Sequence, residues 1–423
     1  MRDDTIIPVP EDERIATLDI VRGVAVMGIL AMNIIVFAMP LPADANPLAY
    51  GTRSTADFVS WLVDFILVGG RMRGLFSFLF GASMLLVILR ADDRMEPSAN
   101  IHFRRMAWLL WFGLAHYYFI WSGDILSLYA PVGMAAWFFC YLPVRTLILF
   151  GTAMIAVETL VLGEMTFDAY RLSVAAAAPD ASAETLLNWH AVAKGMAVPD
   201  AADLAKMLAQ YRGSYVDITL HRLTGQTFGP LHSLLVFGWE TLGYMLLGMA
   251  ALKSGFLGGH WTSRQYAIVA GVGFLVSVPL YAVLALLLYR SNFSVPALFA
   301  FGLTATAPLR PIMVVAYAAL IILVTRNGGA LVQRIAAAGR AAFTNYLGTS
   351  IVMTTLFYGY GFGLFGTMTR SELWLVVIPM WAVMLLWSKP WLERYRYGPF
   401  EWLWRSLARG RLQPMRRGIA PQS

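Results

Sequence analysis

Apolar residues run in long unbroken stretches along this chain. Ten of them, approximately 16–38, 72–91, 104–122, 125–142, 146–163, 229–252, 265–288, 309–325, 341–360 and 371–390, approach the length of a membrane span. A hydrocarbon core of ~30 Å takes about 20 residues of helix at 1.5 Å per residue. Barrel strands would instead alternate every second residue over ~10 residues. The pattern therefore predicts an all-α polytopic transmembrane bundle of about ten spans. Two further apolar pieces, 57–68 and 295–307, are too short to cross, and arginine follows each of them (Arg71 and Arg73, then Arg310). They read as half-helices. The polar stretch 164–227 reads as a small helical insertion, with helix-like pieces around 185–196 and 201–222, between a five-span half (1–163) and a second one (228–392).

Charge orients the bundle. Lys and Arg outnumber Asp and Glu by 32 to 25, yet the arginines gather at the ends of apolar runs and in the tail 393–423, which is a topology signal and not a nucleic-acid surface. With the half-helices left out of the count, the basic connections at 90–105, 143–146 and 326–340 fall on one side with the tail. Both termini are then expected in the cytoplasm, the insertion outside, and the aromatic, arginine-rich tail on the inner membrane face. The opening residues carry Asp3, Asp4, Glu11, Asp12 and Glu13 and do not read as a cleavable signal. Only 13% of residues are charged and 58% are hydrophobic, which excludes an ordinary soluble domain. The single cysteine, Cys140, excludes an internal disulfide, a CxxC zinc site and an iron-sulfur cluster.

Polar side chains inside spans are costly and so mark candidate sites. Asp19 and Arg22 share a face of span 1, as an ion pair or as part of a site. Asn33 lies near its outer end and can hold a carbonyl or an oxyanion, or join helices. His116 in span 3 can carry a proton, or be a satisfied core residue. Asp124, eight residues on, reaches it only if the helix end bends back. Glu240 in span 6 either lines a cavity or pairs with arginine. Arg71, Arg73 and Arg310 either clamp phosphates or snorkel to the interface. No P-loop, GxSxG or HExxH occurs, and no metal site is expected.

Two blocks carry a resemblance. The first is Arg14-Ile-Ala-Thr-Leu-Asp19-Ile-Val-Arg22-Gly23 continuing to Asn33, with Leu75 to Ala82 and Trp121-Ser-Gly-Asp124-Ile-Leu126. The second is Ala338-Gly-Arg340-Ala-Ala-Phe-Thr-Asn-Tyr346-Leu347, Phe357 to Gly366 and Tyr397-Gly-Pro-Phe-Glu401-Trp-Leu-Trp-Arg405. They resemble the YeiB family of bacterial inner-membrane proteins over nearly the whole chain. More distantly, the LDxxRG opening with Asn33 fourteen residues after Asp19 is similar to the lysosomal heparan-alpha-glucosaminide N-acetyltransferases, and more loosely to the family 3 membrane acyltransferases. In the lysosomal enzymes the matching asparagine works beside a histidine shortly downstream. Residues 34–50 contain no histidine here, and His116 is the substitute.

What this likeness implies is a transmembrane acyltransferase. Acyl-CoA would enter from the cytoplasm as co-substrate, with no tightly bound cofactor. His116 would be the general base, Asn33 would hold the acyl oxygen, and Asp124 or Glu240 would orient the histidine. Arg71, Arg73 or Arg310 would anchor the donor phosphates. The alternative is a non-enzymatic transporter or lipid-handling protein. Expected partners are membrane lipids, the donor and an acceptor the sequence does not identify, with no nucleic acid; a homodimer is left open.

Overall fold

The computed structural model describes residues 15–417, so the acidic opening residues and Arg14 lie outside it. Among the described residues the chain is all-α, without a β-sheet. In order it runs α1 (Ala16–Ala38), α2 (Pro42–Ala45), α3 (Thr55–Val63), α4 (Arg71–Asp93), α5 (Ser98–Phe119), α6 (Leu126–Ala136), α7 (Val144–Ala176), α8 (Ala183–Ala193), α9 (Ala201–Arg212) and α10 (Tyr215–Gly225). The second half is α11 (Gly229–Lys253), α12 (Ser263–Arg290), α13 (Val295–Ala297), α14 (Arg310–Thr325), α15 (Ala330–Arg340), α16 (Ala342–Phe357), α17 (Trp374–Arg394) and α18 (Pro399–Arg409). Each of the ten apolar stretches falls on a helix. Among the described residues six stretches are long and apolar enough to cross a membrane, α1, Thr55–Asp93, α7, α11, α12 and α17, whereas α6 and α14 are shorter apolar helices. This is a membrane protein.

Local chemistry sets the breaks. Ser54 and Asp57 cap α3 reciprocally, through Asp57 N–H to the serine hydroxyl and the serine N–H to the carboxylate. A π-helical turn, Asp64–Val68, extends α3 to Gly69 and Gly70, and Gly70 has φ of 72°, a left-handed backbone that separates this piece from α4. The second short piece, α13 with a π-helical Leu298–Thr304, likewise turns before α14. Glu240 of α11 ties the two junctions together. It pairs with Arg73 at 2.6 Å and Arg310 at 2.7 Å, one on the first turn of each helix that follows a short piece. A carboxylate there meets two guanidiniums and two positive helix ends together.

Three boundaries differ from the sequence reading. Helix α7 continues past 163 to Ala176, so the insertion starts later; its apolar face persists beyond the length a bilayer requires. The piece at 201–222 is two helices, because the main chain leaves the helix at Gly213 and Ser214 caps a new one with Asp217. The basic connection 326–340 contains α15, which lies across α1.

That crossing is very close. A β-carbon built on Gly339 would stand 1.9 Å from the Asp19 carbonyl oxygen, and one on Gly23 2.1 Å from that of Ile335. Small residues let helix backbones meet where lipid supplies no hydrophobic drive. Gly339→Ala is therefore expected to push α15 off α1 at a cost of about 1–3 kcal/mol, read as a lower unfolding midpoint in detergent. An unchanged midpoint would mean that the crossing opens freely.

Candidate functional site

His116 is 1% exposed near the end of α5, and the chain does fold back behind it. The helix stops at Phe119, Trp121 N–H returns to the His116 carbonyl at 2.7 Å, and Asp124 reaches His116 Nδ1 at 2.8 Å. The second Asp124 oxygen accepts the Ser127 N–H at 2.6 Å, fixing the carboxylate against the first turn of α6. An ionised carboxylate can only accept, so Nδ1 is the donor in this pair. Among the described residues Nε2 has no hydrogen-bond partner. Rings pack around the imidazole: Tyr346 at 5.2 Å and Trp121 at 6.2 Å between centroids, with Trp121 stacked on Phe37 at 3.9 Å.

Two cavities meet at this layer. The small one, about 10 Å³, is lined by Asn33, Phe37, Trp121, Tyr346, Thr349 and Ser350, together with Val26, Ile29 and Leu30. It is water-sized. Among the described residues Trp121 Nε1 and Thr349 Oγ1 are also buried without partners, so with His116 Nε2 the unused polar atoms here come from two helices and a loop. The large cavity, about 280 Å³, runs from Ile15 and Arg396 inward to Leu126 and Tyr346. Tyr346 lines both. Its hydroxyl accepts the Ile125 N–H at 3.2 Å, which holds the ring in place beside Asp124.

The remaining predicted residues lie elsewhere. Glu240 does not orient His116: it is 1% exposed, engaged by Arg73 and Arg310, and Tyr244 Oη donates to it at 3.2 Å. Asn33 lines the small cavity, whereas His116, Asp124 and Glu240 line neither; His116 meets the Asn33 pocket only through the rings of Trp121 and Tyr346. The three arginines expected to anchor phosphates are occupied by protein. Arg310 also donates to the Leu303 carbonyl and to Thr306, and Arg71 donates to the Gly69 and Phe65 carbonyls and lies 4.0 Å over the Tyr281 ring. The Asp19–Arg22 pair, 3.0 Å apart, belongs to the wall of the large cavity, where Arg22 also donates to Ser83 at 2.5 Å.

Several functional candidates escaped the sequence reading. Arg105, Arg340, Arg396 and Arg405 line the large cavity, but their positions beside span ends made them look like topology signals. The tail does more than lie on a membrane face. Helix α18 docks on α5 and α16, with Trp404 Nε1 donating to the Arg105 carbonyl at 2.9 Å and Glu401 accepting the Phe343 and Thr344 N–H groups at 2.7 and 3.0 Å. Burial holds the Glu401 carboxyl above the ordinary carboxylate range, against those hydrogen bonds. Glu158 of α7 is 0% exposed, lies beside Glu240, Arg73 and Arg310, and forms no ion pair among the described residues; the filter that selected Glu240 would have found it. Among the described residues no three His, Cys, Asp or Glu side chains gather as metal ligands.

Residues 251–411 match a family described as protein of unknown function (DUF418). The chain is 31% identical over 407 residues to the uncharacterized protein YeiB of Escherichia coli (strain K12), spanning 93% of this chain and 96% of that one. It is 30% identical over 430 aligned residues to the uncharacterized protein YxaH of Bacillus subtilis (strain 168), spanning 96% and 97%. No solved structure matches.

Proposed function

The chain belongs to the YeiB family, and from the site just described we propose that it is a transmembrane acyltransferase of the bacterial inner membrane with both termini in the cytoplasm. The observation that carries the reading is the His116–Asp124 pair: a buried imidazole held by a carboxylate through Nδ1, its Nε2 without a hydrogen-bond partner among the described residues and its ring packed against Tyr346, which lines both cavities. In this reading an acyl thioester of the CoA type comes in from the cytoplasmic end. Nε2 takes the proton from a hydroxyl or amine of the acceptor, whose oxygen or nitrogen attacks the thioester carbonyl carbon. The carbon–sulfur bond then breaks, and the departing thiolate takes the proton back from His116. The Asn33 amide donates to the carbonyl oxygen as it gains charge.

Incubation of the purified protein with acetyl-CoA labelled in the acetyl group tests the reading. Thioester loss with label appearing in a product is expected; thioester that stays intact with every hydroxyl and amine acceptor offered would sink it. Asp124→Asn is expected to cost about 10²–10⁴ in rate, because the amide can donate to Nδ1 and move the imidazole proton to Nε2. Wild-type turnover in that variant would remove the pair from the mechanism. A second reading, transport without group transfer, is favoured by Glu158, a buried carboxyl that forms no ion pair among the described residues beside the Arg73–Glu240–Arg310 network. Substrate movement into vesicles with the thioester intact would select it.

A further inference from the structure

Helix α10 is amphipathic the wrong way round. Val216, Leu220 and Leu223 lie exposed at helical spacing on its outward face, while Thr219 and Arg222, three residues apart, are turned into the protein and buried. Burial favours the reverse arrangement. Ile218 fastens the inner face to the apolar cluster that contains Trp121 and Phe37, and Arg222 Nη1 points at the carbonyl of Tyr118, two residues beyond His116.

Arg222 carries the strongest signal. Its side chain is 1% exposed, and no carboxylate pairs with it among the described residues. The acidic groups of neighbouring segments are committed elsewhere: Asp217 accepts the Ser214 hydroxyl at the start of α10, and Asp124 accepts from His116 and from the Ser127 N–H. What Arg222 meets is neutral, the Tyr118 carbonyl at a long 3.5 Å and the Tyr358 side chain, with its ring 5.7 Å away. Neutral oxygens offset only part of a buried charge, and arginine cannot shed the remainder by losing its proton. Thr219 Oγ1, the Gln226 amide oxygen and, in the adjoining loop, Trp121 Nε1 are buried without partners among the described residues. Residues 219, 222 and 226 fall on one helix face. Orphaned polar atoms are the exception in a folded protein, and their concentration beside an unpaired guanidinium marks a binding face.

We infer that the inner face of α10 binds an oxyanion, the carboxylate or phosphate of a hydroxyl-bearing ligand, at the Arg222 fork, with Thr219 and Gln226 taking its hydroxyls. A guanidinium matches two oxygens of either anion, and the Gln226 oxygen calls for a donor that an oxyanion alone lacks. The same chemistry has two sources, the headgroup of an anionic lipid or a water-soluble hydroxy acid. Tyrosine hydroxyls hold α10 on α5 near its two ends, Tyr215 Oη to the Phe119 carbonyl at 2.9 Å and Tyr117 Oη to the Gln226 carbonyl at 3.1 Å, and the ligand enters by lifting this helix. The inference deepens the acyl-transfer reading, and rests on it only in making this ligand the acceptor. No residue of α10 lines the large cavity, so the acceptor and the donor would be held apart.

Purified full-length protein in neutral detergent is titrated with glycerate, glycerol 3-phosphate and glycerol, and separately with phosphatidylglycerol against phosphatidylcholine, following heat of binding and the unfolding midpoint. An acid is expected to bind saturably and raise the midpoint, while glycerol and phosphatidylcholine do neither; response to the soluble acids assigns the face to a water-soluble ligand, and response to phosphatidylglycerol alone assigns it to a headgroup. Arg222→Met should weaken that binding at least about tenfold. It should also leave the ligand-free midpoint equal to or above that of the wild type, because it removes a buried charge and keeps the bulk. An arginine with a purely structural role would move the midpoint the other way. Arg222→Lys, which keeps the charge and loses the fork, should bind with intermediate affinity. No saturable response to any of the acids, binding unchanged in Arg222→Met, or an Arg222→Met protein that is less stable than the wild type or does not fold, overturns the inference. Acid binding that depends on Arg222, with no thioester loss from acetyl-CoA, keeps this site and removes the acyl-transfer reading alone. Thioester loss to a neutral acceptor at a rate indifferent to Arg222→Met keeps the acyl-transfer reading and overturns this one.

Discussion

Glu240→Gln is expected to lower stability by about 3–5 kcal/mol, the usual consequence of removing one member of a buried ion network. The carboxylate is 1% exposed and faces two guanidiniums at 2.6 and 2.7 Å. Replacing it with a neutral amide leaves Arg73 and Arg310 mutually repelling in a medium that screens little. Those arginines stand on the first turns of α4 and α14, so the damage extends to both short-helix junctions. Glu158→Gln supplies the internal control: the group is equally buried but forms no ion pair among the described residues, so its loss should shift the unfolding midpoint far less. Replacing Glu240, Arg73 and Arg310 together by apolar residues of similar volume should recover most of the loss, because the pairs then vanish as a set. If the Glu240→Gln protein unfolds at the wild-type temperature, the network is hydrated and weak.

His116→Ala is expected to abolish transfer with the fold intact, a loss of about 10²–10⁴ or more if proton transfer limits the rate. The ring also donates to Asp124 and touches Trp121 and Tyr346, so His116→Asn and His116→Gln, which keep a donor toward Asp124, accompany it and should lose transfer to the same degree. Donor affinity should survive, so the effect belongs in kcat and not in KM. Equal losses of binding and rate would point to a collapsed wall; an unchanged rate would take the imidazole out of the chemistry.

Hydropathy carried most of the architecture. Each apolar run became a helix because a membrane leaves a chain no other way to satisfy its backbone. Helix α15 was not legible: at eleven residues, with Ala337, Ala338 and Gly339 as its buried face, it carries too little apolar bulk to register, and what holds it is backbone proximity at Gly23. The site divided along similar lines. His116 and Asp124 were visible as rare ionisable groups at a span end, and their contact depended on a fold-back that spacing could allow but not establish. The cavity arginines come from α1, α4, α5, α15, the connection after α17, and α18, so no window of sequence contains them together. Their type was legible; their convergence was a product of packing.

The Tyr346 layer has an electrical consequence. A bundle hollowed from one end confines the transmembrane voltage to whatever remains solid, here the ring-filled septum of Tyr346, Trp121 and Phe37 and the dense packing beyond it. A charge entering the large cavity would cross little of that field, whereas any charge passed through the septum would cross most of it, at about 2.3 kcal/mol per unit charge per 100 mV for the full drop. Membrane potential would then act on the step at the aromatic barrier while leaving loading of the chamber almost untouched.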